Sequence, residues 1–479
     1  MFEFSDLSEW YDARSELNVE EFIQQCLRAH AEGSFEPFES NLILPEQLER
    51  LTSYCLEQKR FPEAIAVASL WTTLAPYSAE GWDQLGMAYV SAGLPQKAVE
   101  AFQRALACNP SDNELILHLA IAYAEAGIVA EAEAHFDFAL ILDPLCEDAI
   151  WQKAIFAQHR GYYRDAIELY ERLADSPRYA QDALFELGYC YDCCQRYDDA
   201  ILAYDRVIEL NPYNPDAWFN RGVVLTHAHR LWEAIDSFDF ALSISSTHMG
   251  ALFSKANVLV HLGKLEAAIE CYREAVTLDE HDPTIWQNLG SAFTELGRYH
   301  DAVKAFTEAI RHAPDHFEAY VGRGTCYDAL GDYHSALADY NAALRIQGSY
   351  ADLWYARAEV LVKLREMEDA IHSFETALQL NPRNAKCWYD YALVLVAIRR
   401  FSDAIEALQH AAVLEQQWVE PHIALVKVFL LLGDSTSAQH ALQRAIELDP
   451  SRRKAIEEEL HALLSPHRVE CQETVTNQA

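Results

Sequence analysis

Apolar residues recur along this chain three and four positions apart, in paired blocks that repeat every 34 residues. A spacing of three and four places side chains on one face of an α-helix, so each block predicts an amphipathic helix. When the sequence is written in 34-residue rows from Pro45, twelve rows fit without an insertion or a deletion. Each row therefore predicts two helices, helix A before position 15 of the row and helix B after it.

Small residues occupy fixed columns of these rows. Position 8 is glycine or alanine in ten rows, with Thr52 and Val426 as exceptions, and position 27 is alanine in nine. Large residues such as Trp218 and Phe238 fall between them, at positions 4 and 24. Small side chains let two helix backbones approach closely while the large ones fill the space beside them. Position 20 is alanine in all twelve rows, at 64, 98, 132, 166, 200, 234, 268, 302, 336, 370, 404 and 438.

This pattern resembles the tetratricopeptide repeat (TPR) family over residues 45–452, as twelve repeats in continuous register. The resemblance implies an all-α solenoid, a right-handed superhelix of antiparallel helix pairs. It also implies that the helices A line a concave surface that holds peptides or other proteins. Each row of such an array buries its apolar face only against its neighbours, so stability is shared along the array.

The two ends of the chain depart from the row pattern. We expect residues 1–44 to form an N-terminal helical cap and connector, because Asn18 and Glu21 have the spacing of a capping box. Phe22, Ile23 and Cys26 follow on one face of that helix. Residues 453–466 predict a C-terminal capping helix, and residues 467–479 predict a disordered tail.

Charge narrows the class of partner. The chain has 74 acidic and 37 basic residues, a formal net charge of −37. Because such a charge repels phosphate backbones and anionic lipid headgroups, we expect no nucleic acid and no membrane partner. The acidic start of the chain lacks the basic region of a signal peptide, and no stretch approaches 18 apolar residues, which favours a cytoplasmic protein. Its eleven scattered cysteines fit reduced thiols.

No catalytic or nucleotide-binding motif is found along the chain. Gly322 and Gly324 form a GxG, but this falls inside a helix A and lacks the preceding strand that a dinucleotide-binding turn needs. The unbroken row register also leaves no space for an inserted catalytic domain. We therefore predict a protein that is not an enzyme and needs no cofactor.

The cysteines of the stretch GYCYDCCQRYDDA suggest a metal site until they are placed in the rows. Cys190 and Cys194 fall at positions 10 and 14, which are packing positions, whereas Cys193 falls at position 13. Helices packed side by side are about 8 to 10 Å apart, too far for residues of one column to converge on one zinc ion, so no metal site is predicted. The position-13 column contains the metal-ligand types His159, Cys193, His227, His261 and Glu295.

Positions 2, 5, 9 and 13 share one face of helix A, opposite positions 4, 7, 8 and 11, which pack on helix B. If the family's geometry holds, position 5 is exposed in the groove, where apolar residues would favour an apolar or aromatic partner. The alternative is that superhelical curvature buries these residues against neighbouring helices A. Position 5 contributes Leu117, Trp151, Phe185, Phe219, Phe253, Tyr355 and Tyr389, and position 9 contributes Met87, Ile121, Ile155, Tyr189 and Val223.

Polar residues on the same face suggest how a partner could be held. Asn220 and Asn288 at position 6 and Asn257 at position 9 could bond an extended backbone, because an amide both donates and accepts; a simple solvated face explains them equally well. Acids at position 2 suit the helix dipole and would also favour Lys or Arg beside the partner's apolar residues. They are Glu46, Glu80, Glu114, Asp148, Asp182 and Asp216.

These features predict a protein-interaction scaffold that binds a peptide segment or a partner protein along the groove. Two other classes remain open at this point. One is a regulatory subunit that recruits a separate catalytic protein. The other is a structural array that self-associates through Phe219 and Phe253.

Overall fold

A computed structural model describes residues 19–35, 38 and 43–453 of the chain. The regular elements in this part are all helical, so the prediction of an all-α solenoid is confirmed. Helix α1 (Val19–Glu32) precedes the rows. The helices A are α2 (Pro45–Glu57), α4 (Ala79–Ser91), α6 (Asn113–Glu125), α8 (Glu147–His159), α10 (Ala180–Cys193), α12 (Pro215–His227), α14 (Met249–His261), α16 (Pro283–Glu295), α18 (Phe317–Leu330), α20 (Ala351–Lys363), α22 (Ala385–Ala397) and α24 (Glu420–Leu431). The helices B are α3 (Phe61–Leu74), α5 (Pro95–Cys108), α7 (Val129–Leu142), α9 (Tyr163–Leu173), α11 (Tyr197–Leu210), α13 (Leu231–Ile244), α15 (Leu265–Leu278), α17 (Tyr299–His312), α19 (Tyr333–Ile346), α21 (Met367–Leu380), α23 (Phe401–Leu414) and α25 (Ser435–Leu448).

The chain divides into two compact units, Met1–Ile244 and Ser245–Ala479. Within each unit, helix A packs on helix B of its own row, and helix B packs on helix A of the next row, as α3 does on α4 and α15 on α16. Asn18 and residues 454–479 lie outside the described part of the chain. No helix in the described ranges combines the length and the apolar character that a membrane crossing requires.

Position 34 of most rows caps the following helix A. The Asp112 carboxylate accepts hydrogen bonds from the backbone N–H groups of Glu114 and Leu115, at 3.0 and 3.4 Å. The amide oxygen of Asn214 does the same for the first turn of α12. These bonds satisfy donors that a helix N-terminus leaves without partners, and so the cap fixes where each helix A begins.

Position 15 ends helix A with a left-handed residue in every row. Seven of these residues are glycines, such as Gly331 with φ of 80°, which adopt this conformation at no steric cost. The other five carry side chains and still have φ between 57° and 65°; they are Lys59, Gln195, His229, Arg365 and Arg399. Every residue at position 15 therefore adopts the left-handed conformation that separates helix A from helix B, and glycine is only the commonest residue there.

The position-8 and position-24 columns fit together across each helix pair. A Cβ atom added to Gly222 would lie 2.5 Å from the ring of Phe238, and one added to Gly188 would lie equally close to the ring of Tyr204. Glycine at position 8 therefore makes room for a ring at position 24. The two exceptions, Thr52 and Val426, fall in rows whose position 24 is not aromatic. The position-20 alanines are at most 3% exposed, so their small size is needed for close packing.

Helix α1 covers the outer face of α3. Its residues Phe22, Ile23 and Cys26 are buried, as the sequence predicts. On α3, Ala66 and Leu70 at positions 22 and 26 are fully buried by this cover. A bidentate ion pair between Arg60 and Glu20, with both N–O distances at 2.8 Å, holds the start of α1. The pKa of the Glu20 carboxyl is lowered by that hydrogen bond.

Candidate functional site

We call the surface formed by positions 2, 5, 9 and 13 of the helices A the A-face, and consider it within each unit. At position 5, the aromatic rings pack on the rings at position 24 of their own rows. The ring centroids of Phe185 and Tyr204 are 5.6 Å apart, and those of Phe253 and Tyr272 are 6.1 Å apart. Trp151, Phe219 and Tyr355 make the equivalent contacts. These rings are thereby half-buried within the repeat, and only one edge of each is open.

The expectation that position 5 is exposed is wrong for Leu117, which is only 7% exposed and belongs to the core. It is also too simple for Trp151, because Tyr179 stacks on the indole with ring centroids 5.2 Å apart. Tyr389 is covered in the same way by Trp418, at 4.8 Å. Burial here comes from loop residues and from the repeat's own helix B, neither of which the sequence analysis considered.

The cover over Trp151 follows from a local change in the chain. Helix α9 ends at Leu173, earlier in its row than the other helices B, and the Ser176 hydroxyl then accepts hydrogen bonds from the N–H groups of Arg178 and Tyr179. This turn directs Tyr179 toward the A-face, where its hydroxyl donates to the Asp148 carboxylate. Burial, together with that hydrogen bond, raises the pKa of Tyr179 to about 12.

Among the described residues, the most exposed large apolar side chains of the A-face are Tyr189 and Leu393 at position 9 and Leu431, 64% exposed, at position 13. Tyr189 is 46% exposed in the first unit and Leu393 is 43% exposed in the second. The other apolar residues predicted at position 9 are half-buried. The hydrogen bond of Tyr189 with Cys193, followed by one with Tyr163, raises the pKa of the Tyr189 hydroxyl. Tyr189 therefore contacts Cys193 on the A-face and Tyr163 at the start of α9.

The three asparagines predicted to bond a partner's backbone are not equally available to it. Asn257 accepts a hydrogen bond of 2.5 Å from the Tyr272 hydroxyl, so its amide already serves the repeat's own packing. Asn220 and Asn288 are half-buried, and within the described ranges their side chains make no hydrogen bond. Two separate amides, one in each unit, are thus open to a ligand.

A pocket with apolar walls opens on the A-face between α20 and α22. Val362, Met367 and Leu393 line it, together with the carboxylates of Glu359 and Asp390. The Tyr355 hydroxyl lies 3.0 Å from Glu359 Oε1 and 2.6 Å from Asp390 Oδ2. Lys386 Nζ lies 3.9 Å from Glu359 Oε1, so the two carboxylates of the pocket share one nearby lysine and keep a net negative charge.

The position-13 column does not gather into a metal site. His227 is paired instead with Asp192 of the preceding row, its Nδ1 atom 2.9 Å from Oδ1. Over the described ranges, no three metal-ligating side chains come close enough to hold an ion. Cys190 is fully buried, which confirms its predicted core role, and burial raises the pKa of its thiol to about 12. Cys193 is exposed on the A-face.

The GxG of Gly322 and Gly324 is explained by packing. A Cβ atom on Gly322 would lie 2.4 Å from the ring of Phe306, and one on Gly324 would lie 2.6 Å from the ring of Tyr340. Both glycines let helix α18 lie against aromatic rings on its two neighbouring helices B.

An arginine network between rows was missed by the sequence analysis. Arg323, at position 7, donates to both carboxylate oxygens of Asp339 at position 23 of its own row, at 2.8 and 2.7 Å. It also donates to the Thr307 hydroxyl of the preceding row at 3.1 Å. Arg221 and Arg357 make the same two-way contacts, to Ser237 and Ser373 and to residues of the preceding rows. The signal is present in the sequence, since position 23 is Ser or Asp only in these three rows.

Successive helices A are linked by a partly buried pair, His118 with Asp83, that should make stability depend on pH. His118 Nδ1 lies 2.7 Å from Asp83 Oδ1. Burial lowers the pKa of His118, but the hydrogen bond and charge of Asp83, aided by Glu114 and Asp112, outweigh it, so the pKa is raised. The stabilisation by this pair is therefore complete below the ordinary histidine pKa and is lost as pH rises through the raised value.

We accordingly expect the free energy of unfolding of the wild-type protein to fall between about pH 6 and about pH 8. In a His118→Gln variant the fall should be smaller, because the titrating group is gone. Urea denaturation at both pH values, followed by far-UV circular dichroism, measures the difference. An identical pH dependence in the two proteins would show that this pair does not titrate in that range.

Three family models match parts of this chain. The model of the Cilia and flagella-associated protein 70 C-terminal domain matches residues 280–477. The TPR repeat model matches residues 194–226 and 256–297, and the Tetratricopeptide repeat model matches residues 84–145. A comparison with curated protein sequences found no match.

Several solved structures are similar to this chain. YrrB, a TPR protein with an unusual peptide-binding site, is 21% identical, covers 41% of this chain and 98% of its own, and has a TM-score of 0.36. The APC/C hetero-tetramer Cut9-Hcn1 is 17% identical, with coverages of 88% and 97% and a TM-score of 0.39. Yeast Tom70 is 16% identical, with coverages of 90% and 96% and a TM-score of 0.34. At these identities the partners named for those proteins say nothing about the partner of this one.

Proposed function

From the premise that this chain is a tetratricopeptide repeat protein, we propose that it is a non-enzymatic scaffold whose A-face holds a segment of a partner protein. The partner segment carries aromatic or aliphatic residues flanked by Lys or Arg. Each unit offers an A-face with an exposed apolar side chain, Tyr189 in the first unit and Leu393 in the second.

The observation that carries this proposal is the pocket between α20 and α22. Val362, Met367 and Leu393 form apolar walls, and Glu359 and Asp390 also line the pocket. Lys363 lines it too, but its ammonium group is paired with Asp328 at 2.6 Å. A Lys or Arg side chain matches this arrangement, because its aliphatic stem covers apolar surface while its charged end reaches a carboxylate. An apolar side chain beside that cation would rest on the exposed part of Leu393.

The first unit supports the same partner chemistry. Tyr189 lies four residues after Phe185 on the same face of α10. Phe185 and Phe219 are half-buried and pack on Tyr204 and Phe238. Rigid aromatic anchors bind with little loss of side-chain freedom, which is why aromatic residues dominate binding hot spots. Asp182 and Asp216 at position 2 are exposed, and they add negative charge to the A-face near these aromatic residues.

The experiment uses the exposed residues and leaves the position-5 rings in place. Replacing Phe185 or Phe219 would remove packing within the repeat, so lost binding could reflect lost folding. Tyr189→Ser and Leu393→Ser instead change side chains that are nearly half exposed. We expect each variant to retain at most about one tenth of the partner captured by the wild type, a loss typical of a hot-spot residue.

Capture from lysate with quantitative mass spectrometry measures this loss. Tyr213→Ser is the matched control, because Tyr213 is 80% exposed but lies in the loop before α12, outside positions 2, 5, 9 and 13. Glu359→Gln with Asp390→Asn should weaken capture of partners with Lys or Arg and leave the fold intact. Partner sets that are the same for the wild type and for both serine variants would exclude the A-face as the binding surface.

A further inference from the structure

The outer face of α7 exposes a continuous apolar stripe. Phe138, Ile141, Leu142 and Leu145 are 44%, 73%, 45% and 84% exposed. Phe138, Ile141 and Leu142 are spaced by three and four residues, so they lie on one side of α7, and Leu145 follows in the turn after the helix. Ala134, one turn earlier, continues the stripe with a small side chain. Contiguous exposed apolar surface of this kind is rare unless something covers it.

The chain itself shows how such a face is covered. In the first row, positions 22 and 26 of α3 are Ala66 and Leu70, and α1 buries both completely. The same positions in α7 are Ala134 and Phe138, which are exposed. In the other described helices B, position 22 is polar except for Leu202 in α11 and the small Ala338 in α19. The α7 stripe is thus equivalent to a face that this fold closes with a helix.

Charge and size are unevenly distributed along this face. Its N-terminal half is small and acidic, with Glu131 and Ala134 exposed on α7 and a glutamate at position 22 of the helix B on either side. Its C-terminal half is large and bordered by arginines at position 26, Arg104 on α5 and Arg172 on α9. Arg172 donates to the backbone oxygen of Pro144, which places its guanidinium beside the large end of the stripe.

We propose that this face binds the same face of a second copy of the chain, with the two α7 helices antiparallel across a two-fold axis. In that arrangement the small end of each stripe lies against the large end of the other, and Phe138 lies near the axis. Glu131 of each copy then lies next to Arg172 of the other. Antiparallel helices also oppose their dipoles favourably. A surface complementary to itself in both size and charge is what an isologous dimer requires.

A helix like α1 would fit this face of α7 less well than a second copy of α7 does, because the first turn of α1 is acidic. In the first row Arg60 pairs with Glu20, but the equivalent residue in the third row is Ile128. An α1-like helix would therefore bring Glu20 and Glu21 to a surface without that arginine, next to Glu131. The second copy supplies arginine at that place.

Sedimentation velocity of the full chain over an about hundredfold concentration range tests the proposal. We expect a monomer–dimer equilibrium that Phe138→Ser with Ile141→Ser weakens at least about tenfold. Leu202→Ser, equally exposed and at position 22 of α11, is the matched control and should leave the dimer unchanged. A monomer at every concentration, or a dimer insensitive to the double variant, overturns the proposal. Protection of α7 in a monomer by residues 1–18 or by another protein would also overturn it.

Charge exchange gives a second readout that does not depend on the apolar residues. Arg172→Glu alone and Glu131→Arg alone should each weaken self-association, because each places like charges together twice. Mixing these two variants should restore a dimer, since each interface then pairs one glutamate with one arginine at both symmetry-related places. Failure of the mixture to associate, with both variants folded and the wild type dimeric, would exclude the antiparallel arrangement.

Discussion

Asp339→Ala is expected to lower the free energy of unfolding by about 3 to 5 kcal/mol, because it leaves Arg323 buried without its counter-charge. The two side chains are only 17% and 7% exposed, and the guanidinium donates to both carboxylate oxygens. After the substitution, Thr307 alone remains as its hydrogen-bond partner among the described contacts. Urea denaturation measures the loss, and hydrogen exchange of α18 and α19 localises it.

The matched double variant separates the cost of a lone charge from the value of the pair. Arg323→Leu with Asp339→Ala reproduces the pairs of other rows, such as Leu85 with Ala101. Replacing a buried ion pair by apolar residues is often neutral or stabilising, so we expect the double variant to lie within about 1 kcal/mol of the wild type. A loss of the full 3 kcal/mol in the double variant would mean that the ion pair itself stabilises the packing of α18 on α19.

Phe238→Ala is expected to cost about 3 to 5 kcal/mol, because it removes a fully buried ring and leaves a cavity between α12 and α13. Phe240→Ala on the same helix is the control. Phe240 is 52% exposed and stacks on Trp218 at 4.5 Å, so its loss should cost no more than about 1.5 kcal/mol. Chemical denaturation of the three proteins gives the comparison.

The partner of Phe238 in this contact is Gly222. Its substitution by leucine should destabilise the wild type but stabilise the Phe238→Ala variant. In the wild type, Gly222→Leu places atoms within the ring of Phe238 and should cost about 1 to 3 kcal/mol. In the Phe238→Ala background the same leucine enters the vacated space and should recover part of the loss. Additive effects of the two substitutions would show that positions 8 and 24 do not share one packing volume.

Much of the fold could be predicted because one residue type recurs at each structural position. The alanines of position 20 and the glycine-rich position 15 fix the helix pairs, and both columns are regular enough to be found without knowing any contact. The buried role of Cys190 followed from the same register. Periodicity is informative here because every row solves the same packing problem with nearly the same residues.

The accessibility of the candidate site could not be predicted in the same way. Whether Trp151 is open depends on Tyr179, whose position depends on the early end of α9 and on the turn made by Ser176. That turn is an exception to the register, so averaging over rows hides it. The packing of position 5 on position 24 is regular, but it needs the distance between two helices, which the sequence does not contain.

The arginines of position 7 show a different kind of omission. Position 7 was assigned to the packing face, and an arginine there reads as an exception in a single column. Only when Arg221 and Arg357 are compared with Ser237 and Ser373, sixteen residues later, does the exception become a pair. A polar group in a core position is informative once its satisfying partner is sought.

The contacts of Arg221, Arg323 and Arg357 with the preceding rows bear on how so repetitive a chain assembles correctly. Near-identical repeats can stack on the wrong neighbour during folding, because each offers almost the same apolar surface. Toward the preceding row, Arg221 donates to the Asp205 carboxylate, Arg323 to the Thr307 hydroxyl and Arg357 to the Asn341 amide oxygen, each at position 25 of that row. Position 25 of α15 is Arg273, so one of these arginines stacked on that row would bring two like charges together. The polar contacts thus favour some neighbouring rows over others, in the way that a buried asparagine favours one register of a coiled coil.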